Sequence, residues 1–253
     1  MSERTLIGGL HAVRAALRYD ATQVIEAWVD RRRHDRRLEA LRSQLDAAGC
    51  PVHESDTRAL GRLLPGLSHQ GVVIALRGTG PRGDAALADF LDALDHAPLL
   101  LVLDQVQDPH NLGACLRTAD AAGADAVITP RDRASGLTPV VHRVAAGAAA
   151  SMPFFQVTNL ARCLRALRDR GIWLAGAADE AATPLYEADL SGPLALILGA
   201  EGKGLRRLTR THCDYLVAIP MAGQVESLNV SVAAGVLLFE ARRQRGAFTP
   251  ARS

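Results

Sequence analysis

Apolar residues recur along this chain in two alternating patterns, and their alternation predicts an α/β fold. Short aliphatic runs are typical of strands, whereas apolar residues spaced three and four positions apart are typical of helices. Over the first part of the chain these patterns predict strands at residues 24–29, near Val52 and at 72–76, and helices at 7–17, 38–48 and 58–64. Strands and helices that alternate in this way predict a small, complete α/β unit.

A second set of elements follows, and its strands are more aliphatic. The run at residues 99–103 reads LLLVL, and such runs are typical of parallel strands that are covered on both faces. The predicted strands are at 99–103, 126–128, 154–157, 172–177, 194–198 and 215–219, and the predicted helices are at 85–94, 111–122, 140–149, 160–170 and 230–243. The pattern indicates an open parallel sheet of about six strands.

The boundary between the two sets is marked by a glycine-rich segment. Residues 78–83 read GTGPRG and match the G-x-G-x-x-G pattern of a dinucleotide loop, with Asp104 as the acid that should follow. However, Pro81 removes a backbone N–H where a pyrophosphate needs a donor. We therefore favour a linker over a nucleotide loop, and predict an N-terminal domain at 1–77, a linker at 78–98 and a C-terminal domain at 99–248.

Composition allows a large core and shows where the charge is concentrated. The chain has 253 residues, of which 48% are hydrophobic, and its formal net charge is only +2. Residues 31–37 nevertheless read RRRHDRR, which places five guanidinium groups close together. Such a run suits contact with phosphates, although a solvated helix start has the same appearance.

The cysteines and the apolar runs restrict the cellular setting that we expect. Cys50, Cys115, Cys163 and Cys213 form no C-x-x-C pair, which argues against a zinc site and for a reduced, cytosolic protein. No segment reaches the ~18 apolar residues of a membrane span, and no long apolar run follows the start. We expect a soluble protein that is not exported and has no membrane partner.

Two loops after predicted strands are candidates for a ligand site. The strand at 194–198 leads into GAEGKGL at 199–205, and the strand at 215–219 leads through Pro220 to Ser227, Leu228 and Asn229. Parallel strands present such loops at one edge of the sheet, where open α/β sheets bind ligands. Because Lys203 is followed by Gly204 and not by Ser or Thr, the first loop is not a Walker loop, and ATP hydrolysis is not expected.

Polar residues near the predicted helix at 111–122 are further candidates. Asn111 is predicted to cap this helix, with Arg117 in the second turn. Arg117 lies among apolar neighbours, so its guanidinium would need an anionic partner such as an RNA phosphate or a carboxylate. Glu201 could be a site carboxylate or simply solvent-exposed. His110 could act as a base, or could lie beside the helix start without a role.

Three segments of the sequence resemble the three motifs of the SpoU/TrmH class of RNA ribose 2'-O-methyltransferases. They are DPHNLGACLRTA at 108–119, GAEGKGL at 199–205 and AIPMAGQVESLNVSVAAG at 218–235. The resemblance extends over nearly the whole chain and includes residues 7–17 and His69-Gln70-Gly71. It implies a C-terminal SPOUT domain with a parallel sheet and a deep trefoil knot, and a small N-terminal α/β RNA-binding domain like a ribosomal protein.

The same resemblance implies a chemistry and partners. S-adenosylmethionine would be the methyl donor, and the substrate would be a guanosine ribose in the peptidyl-transferase P loop of 23S rRNA or of its assembly precursor. A homodimer would form through the SPOUT domain, and the small residues at 145–150 and 233–235 suit either such an interface or ordinary packing. Alternatives are a tRNA ribose substrate, an RNA-binding protein that no longer catalyses, and an oxidoreductase that uses residues 78–83.

Individual residues match the functional positions of the class. The catalytic candidates are Asn111, Arg117, Glu201, Ser227 and Asn229; the cofactor-binding candidates are Gly199, Ile219 and Leu228; the RNA-binding candidates are His11, Arg14, Arg31, Arg32 and Arg33. In the class an arginine matching Arg117 has been proposed as the base. A free guanidinium has a pKa above about 12, so we expect Arg117 to fix the target phosphate and stabilise the forming alkoxide instead.

Overall fold

A computed structural model describes residues 4–77 and 81–246 of the chain. The strands are β1 Arg4–Gly8, β2 Val24–Asp30, β3 Val52–Ser55, β4 Val72–Arg77, β5 Leu99–Asp104, β6 Ala126–Pro130, β7 Phe154–Val157, β8 Trp173–Ala177, β9 Thr183–Pro184, β10 Leu194–Gly199 and β11 Tyr215–Ala218. The helices are α1 Leu10–Asp20, α2 Arg36–Ala47, α3 Thr57–Leu63, α4 Asp84–Asp92, α5 Pro109–Ala122, α6 Pro139–Val144, α7 Ala148–Ser151, α8 Leu160–Asp169, α9 Arg207–His212 and α10 Val230–Gln244. Short 3-10 turns lie at Ala21–Gln23 and Leu185–Glu187.

These elements belong to two compact units. Among the described residues, the first unit comprises residues 4–77 and Gly136–Ser151, and the second comprises residues 81–135 and 152–246. The chain therefore leaves the second unit after Ser135, contributes α6 and α7 to the first, and returns at Met152.

The first unit is built on a mixed four-stranded sheet in the order β1-β4-β2-β3. Strand β4 is antiparallel to both β1 and β2, and β2 is parallel to β3. Helix α2 begins at Asp35, whose carboxylate accepts hydrogen bonds from the N–H groups of Arg37 and Leu38. Its apolar stripe, Leu38, Leu41 and Leu45, is buried in the core of this unit together with Val13 of α1.

The start of the chain differs from the sequence prediction. The prediction of a helix from residue 7 was wrong for its first turn, because Leu6 and Ile7 pair with Ala75 and Ile74 in the sheet. Gly9 has a φ of 99°, which a residue with a Cβ rarely adopts, and the helix begins only at Leu10. The apolar spacing alone could not separate a short strand followed by a helix from one longer helix.

The helix predicted at 140–149 is also divided in the structure. It forms α6 and α7, with Ala146 (φ 52°) and Gly147 (φ 107°) between them. A Cβ on Gly147 would lie 1.9 Å from the Cβ of Ala15. The break in the helix therefore lets the backbone of this segment pack directly on α1, within the first unit.

The second unit contains a seven-stranded parallel sheet in the order β7-β6-β5-β10-β8-β11-β9. The prediction of about six strands is confirmed, and the seventh is the two-residue β9. Strands β5 and β10 are adjacent and in register from the Leu194–Leu99 pair to the Gly199–Asp104 pair. Their carboxyl ends, together with that of β11, place the candidate loops at the same edge of the sheet.

The glycine-rich segment is partly described. Residues 78–80 of the G-x-G-x-x-G match lie outside the described residues. At the next positions, the N–H of Arg82 donates to the carbonyl of Phe154 (3.1 Å), and the carbonyl of Arg82 accepts from Gln156 N–H (2.8 Å). Helix α4 then packs against β7. The backbone of Arg82 thus extends the edge of the sheet, and its N–H is not available to a phosphate.

Candidate active site

Three polar side chains from distant parts of the second unit meet beyond the carboxyl ends of β5 and β10. Asn111 lies in the first turn of α5, Glu201 follows β10, and Asn229 caps α10. The amide of Asn229 donates to the Asn111 oxygen Oδ1 (3.0 Å) and to the Glu201 oxygen Oε2 (3.2 Å), and the Asn111 amide donates to the same carboxylate oxygen (3.4 Å). One carboxylate therefore fixes both amides.

The start of α5 explains why Asn111 is free for this network. The prediction that Asn111 caps the helix was wrong, since Asp108 is the cap and accepts from the N–H groups of His110 and Asn111. Pro109 occupies the first helical position, where its missing N–H costs no hydrogen bond. The side chain of Asn111 is thereby released toward Glu201 and Asn229.

A cavity of about 330 Å³ adjoins this network. Its lining includes all three cofactor-binding candidates, Gly199, Ile219 and Leu228, together with Ser227 and Glu201. Apolar walls come from Leu198, Val217 and Met221. The volume falls in the range of about 300–1,000 Å³ that is usual for small-molecule sites, and such apolar walls with a few polar groups are typical of them. The residues present therefore fit a nucleoside cofactor.

A second cavity of about 330 Å³ is also lined by Glu201 and Asn111. Its other lining residues include the polar side chains of Gln105, Gln107, Asp108 and Lys203. Gln105 has a φ of 64°, an uncommon conformation for a residue with a side chain, and such residues cluster at functional sites. Glu201 therefore lines both cavities, and Asn111 lines the second.

The loop after β10 is held by an ion pair with a buried carboxylate, which the sequence prediction missed. Asp104 ends β5 with a fully buried side chain. It accepts from the backbone N–H of Arg206 (3.2 Å) and from Arg206 Nε (2.7 Å). A Cβ on Gly199 would lie 2.0 Å from the carbonyl carbon of Gly204, so only glycine allows the loop to close this tightly. The sequence signal that could have indicated this pair is an acidic residue, Asp104, at the end of an aliphatic strand.

Arg117 and His110 are not part of this network. Both side chains are exposed on α5, and Arg117 makes no hydrogen bond or ion pair with any residue that the structure describes. Helix α5 packs against α10, where Thr118 lies 3.4 Å from the position of a Cβ on Gly235. The guanidinium of Arg117 is therefore open to an anionic partner outside the described residues of this chain.

The RNA-binding candidates all belong to the first unit, and one loop connects them. His11 and Arg14 are on α1, whose first N–H, that of Leu10, donates to Gln70 (3.1 Å). The next residue, Gly71, accepts from Asp30 N–H (2.8 Å) and lies against the Arg33 side chain. The structure thus brings the start of α1 and the arginine run to the same loop.

Asp30 shapes the arginine run itself. Its buried carboxylate accepts from the Thr57 hydroxyl (2.6 Å) and from Arg32 N–H (3.0 Å). These bonds, that to Thr57 first, lower the pKa of Asp30 below its ordinary value. Arg31 and Arg32 remain exposed, while Arg33 pairs with Asp35. Two of the three arginines are therefore available to an external anion.

Comparison with known proteins identifies the class to which this fold and site belong. Residues 98–239 match the model of the SpoU rRNA Methylase family, and residues 6–78 match the model described as RNA 2'-O ribose methyltransferase substrate binding. The chain belongs to the SpoU rRNA methylase family, a family of S-adenosylmethionine-dependent methyltransferases.

Individual relatives and solved structures are similar to this chain over nearly its full length. The chain is 53% identical over 245 residues to the 23S rRNA (guanosine-2'-O-)-methyltransferase RlmB of Ralstonia nicotianae, covering 97% of this chain and 98% of that protein. It is 52% identical, with the same coverage, to the protein of that name from Pseudomonas putida. The SpoU methyltransferase AviRb from Streptomyces viridochromogenes, solved with AdoMet, superposes with a TM-score of 0.79 at 27% identity, covering 96% of this chain and 90% of that one.

Within residues 4–77 and 81–246, no helix is long and apolar enough to cross a membrane.

Proposed function

We propose that this protein transfers a methyl group from S-adenosylmethionine to the ribose 2'-oxygen of a guanosine in 23S rRNA. The observation that carries the proposal is the network of Asn111, Glu201 and Asn229, whose carboxylate lines two cavities. Relatives that are about half identical over nearly their full length are named for this reaction. A guanosine of the peptidyl-transferase P loop is the proposed target.

The cavity beside Gly199, Ile219 and Leu228 would hold the cofactor, which supplies an activated methyl group on a sulfonium. Backbone groups of these residues would bind the adenine, and the apolar side chains around them would exclude water. The donor is already activated, so the protein has to align the ribose, remove water and assist loss of one proton. Alignment alone can lower a barrier by about 7 kcal/mol or more.

The second cavity, which is lined by Gln105, Gln107 and Asp108, would receive the target nucleotide. Glu201 and Asn111 line it, and the hydrogen bonds from Asn111 and Asn229 fix the Glu201 carboxylate in one orientation. Ser227 lies on the cofactor side of the same carboxylate. We propose that Glu201, Asn229 and Ser227 orient the ribose hydroxyl, whose proton leaves as the 2'-oxygen attacks.

Arg117 would bind the target phosphate and stabilise the forming alkoxide through its planar guanidinium. A lysine carries the same charge without the two-pronged geometry. We expect Arg117→Lys to lower the turnover number about tenfold or more across the pH–rate profile, with unchanged cofactor affinity. Arg58→Lys, an exposed change on α3, is the control. Turnover close to that of the parent protein would contradict a role that needs the guanidinium plane.

We propose that residues 1–77 bind RNA, that residues 99–248 carry the methyl-transfer site, and that 78–98 join them. Within this connection, helix α4 packs against β7. His11, Arg14 and Arg31–Arg33 would contact RNA phosphates and bases. This assignment is supported by the family model for substrate binding, which matches residues 6–78.

A homodimer through the methyl-transfer domain and a deep trefoil knot within it are further parts of the proposal. Val232 and Phe239 are exposed on α10 (51% and 42%), about two turns apart on the same side of the helix. Such apolar residues on a helix that also borders the site suit burial against a second copy. The proposed location is the cytoplasm, where ribosomal RNA is modified.

A tRNA ribose is the second candidate substrate. The tRNA modifying enzyme TrmH/SpoU of A. aeolicus superposes with a TM-score of 0.53 at 28% identity and covers 64% of this chain. Its coverage is smaller than that of the rRNA methyltransferase from Sinorhizobium meliloti, which covers 95% with a TM-score of 0.76. An RNA-binding protein without activity is less well supported, because Asn111, Glu201 and Asn229 are all present and connected.

The experiment that tests the proposal is methyl transfer from labelled S-adenosylmethionine to defined RNAs. We expect label in a 23S rRNA transcript that contains the P loop, at a single guanosine ribose located by primer extension. Total tRNA and a P-loop transcript with a 2'-deoxyguanosine at the labelled position are the controls. Label in tRNA alone would select the second candidate, and binding of both RNA and cofactor without transfer would select an inactive protein.

A further inference from the structure

Helix α8 carries a row of arginines that none of the roles above uses. Its buried positions are Leu160, Cys163, Leu164 and Leu167, which face the sheet. Arg162, Arg165 and Arg168 are exposed on the outer side, and Arg170 follows the helix. They belong to the second unit, whereas the arginine run at 31–37 belongs to the first. The charge excess of the chain is therefore not confined to the proposed RNA-binding domain.

Two of these arginines are neutralised by helix α4. Arg162 lies 3.5 Å from Asp84 and Arg170 lies 3.3 Å from Asp92. Because successive residues turn by about 100° around a helix, Arg162 and Arg170 mark the side of α8 that faces α4. On this side each guanidinium has a carboxylate within ion-pair distance.

The other two have no such partner. By the same rotation, Arg165 and Arg168 lie about 60° and 120° around α8 from Arg162, on the side away from Arg170. In the part of the chain that the structure describes, neither makes a hydrogen bond or an ion pair, not even with Asp169 nearby. Two uncompensated guanidinium groups therefore lie one helical turn apart.

Helix α9 follows the loop of the candidate active site that carries Glu201 and Lys203. Helices α8 and α9 pack against each other. Arg207 begins α9 with an exposed side chain that makes no ion pair among the described residues, and Lys203 is exposed in the preceding loop. Lys203 lines both cavities of the site. The remaining arginines of α9 are paired, Arg206 with Asp104 and Arg210 with Glu180.

We propose that Arg165, Arg168, Arg207 and Lys203 form a surface, the α8–α9 basic surface, which binds the phosphate backbone of the RNA beside the target nucleotide. The proposal rests on the proposed RNA substrate and adds a second anchoring site to that of residues 1–77. Guanidinium groups match phosphate geometry with two parallel hydrogen bonds. Uncompensated arginines that continue to the edge of the site would bind the strand next to the nucleotide under modification.

The test uses two double variants of the full-length protein that remove the same charge from the same helix. Arg165→Gln with Arg168→Gln neutralises the proposed surface, and Arg162→Gln with Arg170→Gln neutralises the side that pairs with α4. Binding to the P-loop transcript is measured from about 50 mM to 300 mM salt. For the first variant we expect about tenfold weaker binding and a salt dependence reduced by up to 2 in log–log slope.

The control variant should bind RNA with the slope of the parent, because its arginines are already neutralised by Asp84 and Asp92. S-adenosylmethionine affinity should be unchanged in both, which checks that the fold of the second unit is intact. Equal salt slopes for the Arg165/Arg168 variant and the parent would overturn the α8–α9 surface, while methyl transfer by the parent would still support the proposed function. Equal losses in both double variants would also overturn it, since they would indicate net charge and not position.

Discussion

Asp104 and Glu201 lie beyond the carboxyl ends of two adjacent parallel strands, yet only Glu201 is open to solvent. Asp104 is fully buried and satisfied by the backbone and guanidinium of Arg206. Glu201 is exposed and accepts from the amides of Asn111 and Asn229. The buried carboxylate fixes the loop, and the exposed one retains acceptor capacity for a substrate hydroxyl. A carboxylate near the end of each strand thus has a structural role in one case and a proposed functional role in the other.

The largest effect should come from leaving the buried carboxylate without its partner. We expect Arg206→Ala to reduce the free energy of unfolding by about 3–5 kcal/mol, because Asp104 would remain buried and unpaired. Asp104→Asn should cost less, about 1–3 kcal/mol, since the Arg206 side chain is 43% exposed and water can solvate it. Denaturant unfolding with and without S-adenosylmethionine measures both. Equal losses from the two changes would contradict the contrast in burial.

The exposed carboxylate should show the opposite behaviour. We expect Glu201→Gln to lower the methyl-transfer rate about a hundredfold, because misorientation of a reacting group by a small distance has an effect of that size. Its unfolding free energy should change by less than about 0.5 kcal/mol, as is usual for surface positions. Glu187→Gln, at another exposed position, is the control. A large loss of stability with full activity would assign Glu201 a structural role.

The first unit contains a buried titratable group, a histidine, that has a ring nitrogen without a hydrogen-bond partner among the described residues. His142 on α6 is 3% exposed, and its Nε2 has no hydrogen-bond partner among the described residues. Burial lowers its pKa from 6.5 to about 4. The unfolded chain therefore takes up the proton first, so stability is complete above about pH 6.5 and is lost as the pH falls toward 4. At pH 5 the loss should be about 2 kcal/mol.

The pH dependence of thermal unfolding tests this expectation. His142→Leu removes the titrating group and should flatten the loss of stability between pH 7 and pH 5. His34→Gln, at an exposed position in the same unit, should leave the pH dependence as it is in the parent. An unchanged slope in the His142 variant would show that other groups control the acid sensitivity.

The smallest effect should distinguish the two roles of Asn229. Its oxygen caps α10 by accepting from Ser231 N–H, and its amide donates to Asn111 and Glu201. Asn229→Ser keeps a capping hydroxyl but loses the amide, so stability should change by less than about 0.5 kcal/mol. Methyl transfer should fall about tenfold. Asn159→Ser, which changes the cap of α8 in the same way, should leave activity unchanged, and an equal loss there would contradict the network.

Most elements could be predicted from the apolar pattern, and the exceptions have local causes. Strands β5 and β10 could be predicted from their aliphatic runs, and the ends of several helices could be predicted from the glycines that follow them. The strand–helix boundary at Gly9 and the helix break at Gly147 could not be predicted, because the positive φ angles of these glycines depend on contacts with distant residues. Asn111 was predicted as a cap, although the preceding Asp-Pro pair is the stronger helix start.

The candidate site shows the same division. Its residue types were evident from the three motifs, but the sequence could not indicate that Glu201 bonds both amides or that Arg117 stands apart from them. Asp104 was considered only for a dinucleotide loop, and its pairing with Arg206 across about a hundred positions was not foreseen. The arginines of α8 are separated from one another in the sequence, so they form no continuous charged run that would have drawn attention to them.

By itself, the sequence determined the alternation of strands and helices, the aliphatic core of the parallel sheet and the residues available for chemistry, because these depend on local spacing and side-chain type. Only the tertiary structure decided which carboxylate is buried, which amides meet and which arginines lack a partner. Those properties arise from distances between residues far apart in the chain, and the free energy of a charge depends on its burial and its neighbours.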